Sequence, residues 1–203
     1  MFAYCNNNPV NSIDICGNDA IWIQEAGSAY GMGHTGLMLQ DKEGDWHYFY
    51  WGPENEDISA VAGWVPSRMI IEKVDDLGRD LSYHYNVIVA IQNSGNPFIS
   101  DRARKTTETL YFQGDYTASL EWLEELQDQQ KAFPIAAEYH LIMNNCVQKS
   151  YEALSKSNPA FGSFHHIIPN HAVIKARTIE HVIHSHNYAW NLPSKTHNYN
   201  AVA

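Results

Sequence analysis

Residues 138–154 read EYHLIMNNCVQKSYEAL. Residues 139–143 predict a short strand, Asn144 and Asn145 offer side chains that cap a helix, and Val147, Tyr151 and Leu154 recur at helical spacing. Cys146 therefore opens a helix. There the unpaired backbone N–H groups and the positive end of the helix dipole favour a thiolate, and such positions bring a thiol pKa from ~8.5 into the range of roughly 3.5–7.5. The other reading of the same residue is an inert, buried thiol, since free cysteines often pack as small hydrophobes.

The 203 residues suit one domain with a full core, and 44% apolar with 18% charged residues is ordinary globular composition. A net charge of −10, from 13 Lys plus Arg against 23 Asp plus Glu, speaks against a nucleic-acid partner, which needs clustered positive charge. The longest apolar run, near residues 87–91, falls far short of the ~20 residues that span a bilayer. The first residues, MFAYCNNNPV, have neither the charged nor the apolar region of a secretion signal. Three cysteines, Cys5, Cys16 and Cys146, are too few for a disulfide scaffold and lack metal-ligand spacing. The His-rich stretch with His165, His166, His171, His181, His184 and His186 lacks the accompanying Cys or carboxylate pattern of a zinc site. Neither metal nor cofactor is expected.

Upstream, residues 20–24 predict a strand, followed by the glycine-bearing loop EAGSAYGMG. HTGLMLQ from His34 and WHYFYW from Trp46 flank DKEGD and predict a β-hairpin with His34 at its first position. Apolar runs at residues 61–71, 85–91 and 109–113 predict further strands of one antiparallel sheet. Residues 117–133 form an amphipathic helix through Leu120, Leu123 and Leu126, with carboxylates on the other face. Within this region ETLYFQG, residues 108–114, resembles the recognition site of a potyviral protease and would be cut only where exposed and extended.

Two resemblances bear on function. Phe2-Ala3-Tyr4, Asn7-Asn8-Pro9-Val10-Asn11, Ile13-Asp14 and Gly17 resemble the end of the core domain that closes RHS/YD-repeat proteins, although Asp14-Ile15-Cys16-Gly17 departs from the family's Asp-Pro before the closing Gly. The resemblance implies a division into residues 1–17, the end of the core, and residues 18–203, its variable cargo. Such cargo is often a toxin, secreted or delivered into a target cell and neutralised by a cognate immunity protein. GHTGLML around His34 and NNC around Cys146, in that order, resemble the circularly permuted papain-like folds, relatives of the NlpC/P60 peptidases and of lecithin:retinol acyltransferase. That resemblance implies an α+β fold with an antiparallel sheet packed against helices and a Cys146–His34 pair.

A third group must orient the base. If Glu43-Gly44 form a two-residue loop, paired positions in the hairpin sum to 87 and His47 faces Gln40, six residues or about 20 Å from His34 at ~3.3 Å per residue. Glu54 is then the nearest carboxylate to His34. A three-residue loop with a bulge at Gly44 shifts the sum to 86 and brings Tyr50 diagonally close instead. The expectation is a cysteine hydrolase or acyl-transfer domain with Cys146, His34 and Glu54 acting on amide bonds of peptidoglycan stem peptides or a target protein. Deamidation and transglutamination share that chemistry, and a lipid acyl hydrolase or acyltransferase is an alternative. An interaction domain with a buried Cys146 is the rival from another class.

Overall fold

In the computed structural model the described residues are 18–55, 63–133, 138–162, 168–179 and, for the backbone alone, 182–187. The RHS-like residues 1–17 and the start of the apolar run at residue 61 lie outside them, as do His165, His166 and His181.

The strands alternate apolar residues on both faces, so both faces must be covered. β1 (Ala20–Glu25), β2 (His34–Gln40), β3 (Trp46–Pro53), β4 (Val65–Val74), β5 (Glu108–Phe112), β6 (Glu138–Tyr139) and β7 (Val182–Asn187) form one sheet in the order β6-β4-β3-β2-β1-β5-β7. Every pairing is antiparallel. On one face Trp22, Leu37, Leu39, Phe49 and Trp51 pack against α3 (Thr117–Ala132), α4 (Cys146–Ser157) and α5 (Pro169–Ala176). On the other, Ile21, Ile23, Met38, Tyr48 and Tyr50 pack against α1 (His84–Gln92) and α2 (Pro97–Arg102). This is an α+β fold with helices on both sides of an antiparallel sheet. Among the described residues no helix is long and apolar enough to cross a membrane.

The run at residues 85–91 is helical, which corrects the strand expected there. His84, Val87, Ala90 and Ile91 are its buried residues. That three-to-four-residue spacing outweighs the strand preference of its β-branched residues once a sheet face is available to cover. The strand expected over residues 139–143 shrinks to Glu138–Tyr139, followed by a turn closed by the His140–Asn144 bridge.

The hairpin settles its own register. Asp41 and Asp45 close a three-residue loop, Gly44 takes φ +89°, and Leu37 pairs with Phe49 and Leu39 with His47. This is the bulged register whose positions sum to 86, because only a left-handed residue at Gly44 lets a three-residue loop rejoin the ladder. β5 holds the protease-like ETLYF between β1 and β7 with all five side chains buried. Cleavage of the motif should therefore be negligible in the native protein and appear in proportion to global unfolding as urea is raised. Rapid cleavage without denaturant would contradict the placement of β5.

Candidate active site

Cys146 is the first residue of α4. Asn145 caps the helix by accepting from Gln148 N–H at 3.0 Å, while the Gln148 side chain accepts from Asn145 N–H at 3.1 Å. The preceding turn is strapped to the helix start, with Asn145 Nδ2 donating to Leu141 O at 2.6 Å and Gln148 Nε2 to Ile142 O at 3.2 Å. These bonds fix Cys146 against the end of β2.

Strand geometry creates the place where the sulfur sits. β1 pairs with β2 as far as His34, whereas the β2–β3 ladder stops at Leu37–Phe49. Gln40 N–H donates to Asp19 on the β1 side, so by alternation the Thr35 N–H faces β3, which has already splayed away. That N–H, the Val147 N–H and the Tyr139 hydroxyl are three donor groups near the Cys146 sulfur, each acting in the direction that favours its thiolate. The Tyr139 hydroxyl also lies near the Cys146 backbone N–H. Tyr139 thus lies between the sulfur and the helix's first amide.

The thiol is 1% exposed, and burial pushes it up to about 11 despite the three donors, with the nearby Glu25 carboxylate acting in the same direction. This corrects the depressed pKa expected of a helix-start cysteine: desolvation outweighs dipole and hydrogen bonds.

His34 is adjacent in the chain to the sulfur's partner, but its ring leaves by the other face. Leu37 and Leu39 face α4, Met38 faces α1 and α2, and by the same alternation Thr35 goes with the former and His34 with the latter. The imidazole rests on Tyr50, with ring centroids 4.7 Å apart, and Nε2 is buried with no hydrogen-bond partner. No hydrogen bond joins it to Cys146. Burial, with the cations of Arg102 and Lys105, holds its pKa well below the ordinary value, so the ring is neutral.

Glu54 does not meet His34. It is exposed at the end of β3, where its N–H donates to Pro66 O. The bulged register moves His34 level with Gly52, and Tyr50 folds across Gly52, where a Cβ would collide with the Tyr50 hydroxyl. His47 is remote from His34; it sits on β3 opposite Leu39 and reaches the hairpin turn, its Nε2 2.8 Å from Asp41 Oδ2.

Sequence reading passed over the carboxylate that does neighbour His34. Glu25 is its cross-strand partner on β1, fully buried, with Oε2 bonded to Ser28 Oγ at 2.7 Å and to Arg102 Nη1 at 3.1 Å. Arg102 itself lies over both the Tyr50 and the Phe98 ring, 4.5 Å from each centroid, the two rings meeting edge to face at 4.8 Å. Tyr139 was also missed as a partner of Cys146, although it lies within the deciding stretch.

The glycine-bearing loop before His34 is pinned from α5. Asn170 accepts from Gln24 Nε2 at 2.8 Å and donates to Gly31 O at 2.9 Å, and Gly33, at φ +92°, leaves the space that its side chain fills. Beside the start of α4 a groove of 360 Å³ is lined by Trp51, Leu126, Gln129, Gln130, Phe133, Asn144 and Lys149. Among the described residues no three His, Cys, Asp or Glu side chains converge as a metal site requires. No family model, curated protein or solved structure matches this chain, so its chemistry has to be read from its own residues.

Proposed function

We propose that this domain is a cysteine hydrolase or acyl-transfer enzyme of permuted papain-like arrangement. One observation carries the reading: a helix-start sulfur beside the place where the β2–β3 ladder ends, with three donor groups near it, one of them the N–H of Thr35, the chain neighbour of His34. A neutral thiol gains little from three donors, whereas a developing thiolate gains much. At rest the pair is a neutral thiol and a neutral imidazole. As Cys146 attacks an amide carbonyl its proton passes to His34, whose ring has to turn from the α1/α2 face about the end of β2 to meet the sulfur, and then to the departing amine. Water hydrolyses the resulting thioester, or a second amine takes the acyl group. The carbonyl oxygen would take the place of the Tyr139 hydroxyl at the Cys146 N–H, the first donor of an oxyanion hole. The groove lined by Trp51, Leu126 and Phe133 suits an apolar part of a peptide or protein substrate.

With the RHS-like opening, the reading extends to a toxin cargo delivered into a target cell and restrained by an immunity protein. Expression in the cytoplasm and, separately, in the periplasm of a bacterial host tests it. Toxicity in one compartment, abolished by Cys146→Ala, is expected. Equal toxicity of the two chains in both compartments would contradict it.

The second reading is an interaction domain in which Cys146 is inert. Its support is the 1% exposure of the thiol, its upward shift and the lack of an imidazole–thiol hydrogen bond.

A further inference from the structure

Four side-chain atoms among the described residues are buried without a hydrogen-bond partner, and three belong together: Glu25 Oε1, His34 Nε2 and Tyr48 Oη. Glu25 and His34 are directly opposite in the β1–β2 ladder, where paired Cα atoms are about 5.5 Å apart in a hydrogen-bonded pair. Tyr48 is on the same face, its hydroxyl lying over Gly36, two residues along β2 from His34. Each atom costs free energy while it is buried and unpartnered. Native proteins rarely leave one such group, let alone three in one place.

Their chemistry is complementary. Glu25 Oε2 is already held by Arg102 and Ser28, which fixes the carboxylate's plane and leaves Oε1 as a free acceptor. A neutral imidazole has one N–H to give. If Nε2 carries it, Oε1 is the acceptor across the strand pair, and Nδ1 is left bare. Nδ1 is the ring nitrogen nearer the backbone, and the backbone at this point is the peptide whose N–H meets the Cys146 sulfur.

We propose that Glu25 is the positioning residue of His34, its Oε1 taking the Nε2–H directly or across one water shared with Tyr48 Oη, so that Nδ1 serves as the base for Cys146. The assignment rests on the hydrolase reading for the role of Nδ1, but the tautomer it requires does not. The charged and titratable groups facing the imidazole are Glu25 from β1, Tyr48 and Tyr50 from β3, Arg102 from α2 and Lys105 just beyond it. The Glu25–Arg102 pair is neutral as a unit, so it orients the ring without charging it.

Long-range ¹H–¹⁵N NMR of histidine-labelled full chain reads the tautomer, with His34 assigned by its loss in His34→Ala. At pH 7 the wild type should show a protonated Nε2 and a bare Nδ1. Glu25→Gln offers the ring an amide that can accept or donate, so the single tautomer should give way to a mixture or to the Nδ1–H form. Alkylation of Cys146 at pH 6 should then fall towards the His34→Ala rate. A wild-type spectrum with Nδ1 protonated overturns the proposal and needs no variant, which guards against a Glu25→Gln chain that fails to fold. So does a tautomer unchanged by Glu25→Gln in a folded chain. If the tautomer follows Glu25 but Cys146 labels at a rate independent of His34, the positioning role stands and the hydrolase reading falls.

Discussion

An Arg102→Met variant should lose about 3–5 kcal/mol of stability at pH 7, because removing one member of a buried ion pair leaves the other charge without compensation. The Arg102 and Glu25 side chains are 3% and 0% exposed, and their atoms approach to 3.1 Å. Methionine keeps much of the arginine's volume against Tyr50 and Phe98, so the loss reports the charge rather than a cavity. Replacing both partners, in Glu25→Leu with Arg102→Met, should recover most of it, since an apolar pair carries no desolvation penalty. The pH dependence has a definite sign. Burial raises the Glu25 pKa above its ordinary 4.5, with Arg102 the largest opposing influence. A carboxyl whose folded pKa stands above its unfolded value contributes stability that is complete below the unfolded value and is lost as pH rises through the folded one. Without Arg102 the folded value climbs further. Urea unfolding should therefore show Arg102→Met losing stability more steeply than wild type from about pH 4.5 to pH 7. The double variant should lack that extra slope. Equal midpoints for wild type and Arg102→Met at pH 7 would show that the pair is not buried as described.

What could be read from the sequence, and what could not, divides along the distance over which each signal acts. Cys146 at a helix start was legible because Asn144, Asn145 and the 147–151–154 spacing are all local. The hairpin was legible too, down to the choice between two registers, since the bulge at Gly44 depends on five residues of loop chemistry. The pair formed by Glu25 and Arg102 was not. Its members are separated by 77 residues, and neither had a functional reading: Glu25 stood as the first residue of a glycine-bearing loop, and nothing local marked Arg102. Only the docking of α2 on the sheet brings them together. The misread run at residues 85–91 failed for a related reason: strand preference is local, but the choice of a helix there is made by the sheet face it covers. Which residue of β3 would neighbour His34 depended on the hairpin register, and a shift of one position exchanged Glu54 for Tyr50.

The pH profile of Cys146 alkylation should separate the two readings of the domain. With the thiol pushed up to about 11, roughly one molecule in 10⁴ carries a thiolate at pH 7. For an inert buried thiol, iodoacetamide labelling then rises about tenfold per pH unit from pH 6 to pH 9, because the thiolate fraction does so. His34→Ala should leave that line unchanged. In the hydrolase reading a second reactive form exists, the ion pair made when the thiol's own proton moves to the imidazole. Forming it takes up and releases no proton from solvent, so its population does not depend on pH until the imidazolium itself loses its proton. The wild-type profile should consequently level off towards pH 6, while His34→Ala keeps falling. Their ratio should be at least about tenfold at pH 6, a threshold set below the ~10²–10⁴-fold that a positioned base typically contributes, and close to one at pH 9. Slow access to a sulfur this buried lowers both rates together and leaves the comparison of ratios intact. Circular dichroism on each variant confirms that the fold is retained. A ratio that stays at one from pH 6 to pH 9 in folded protein removes His34 from the chemistry and leaves Cys146 as a core side chain at the start of α4.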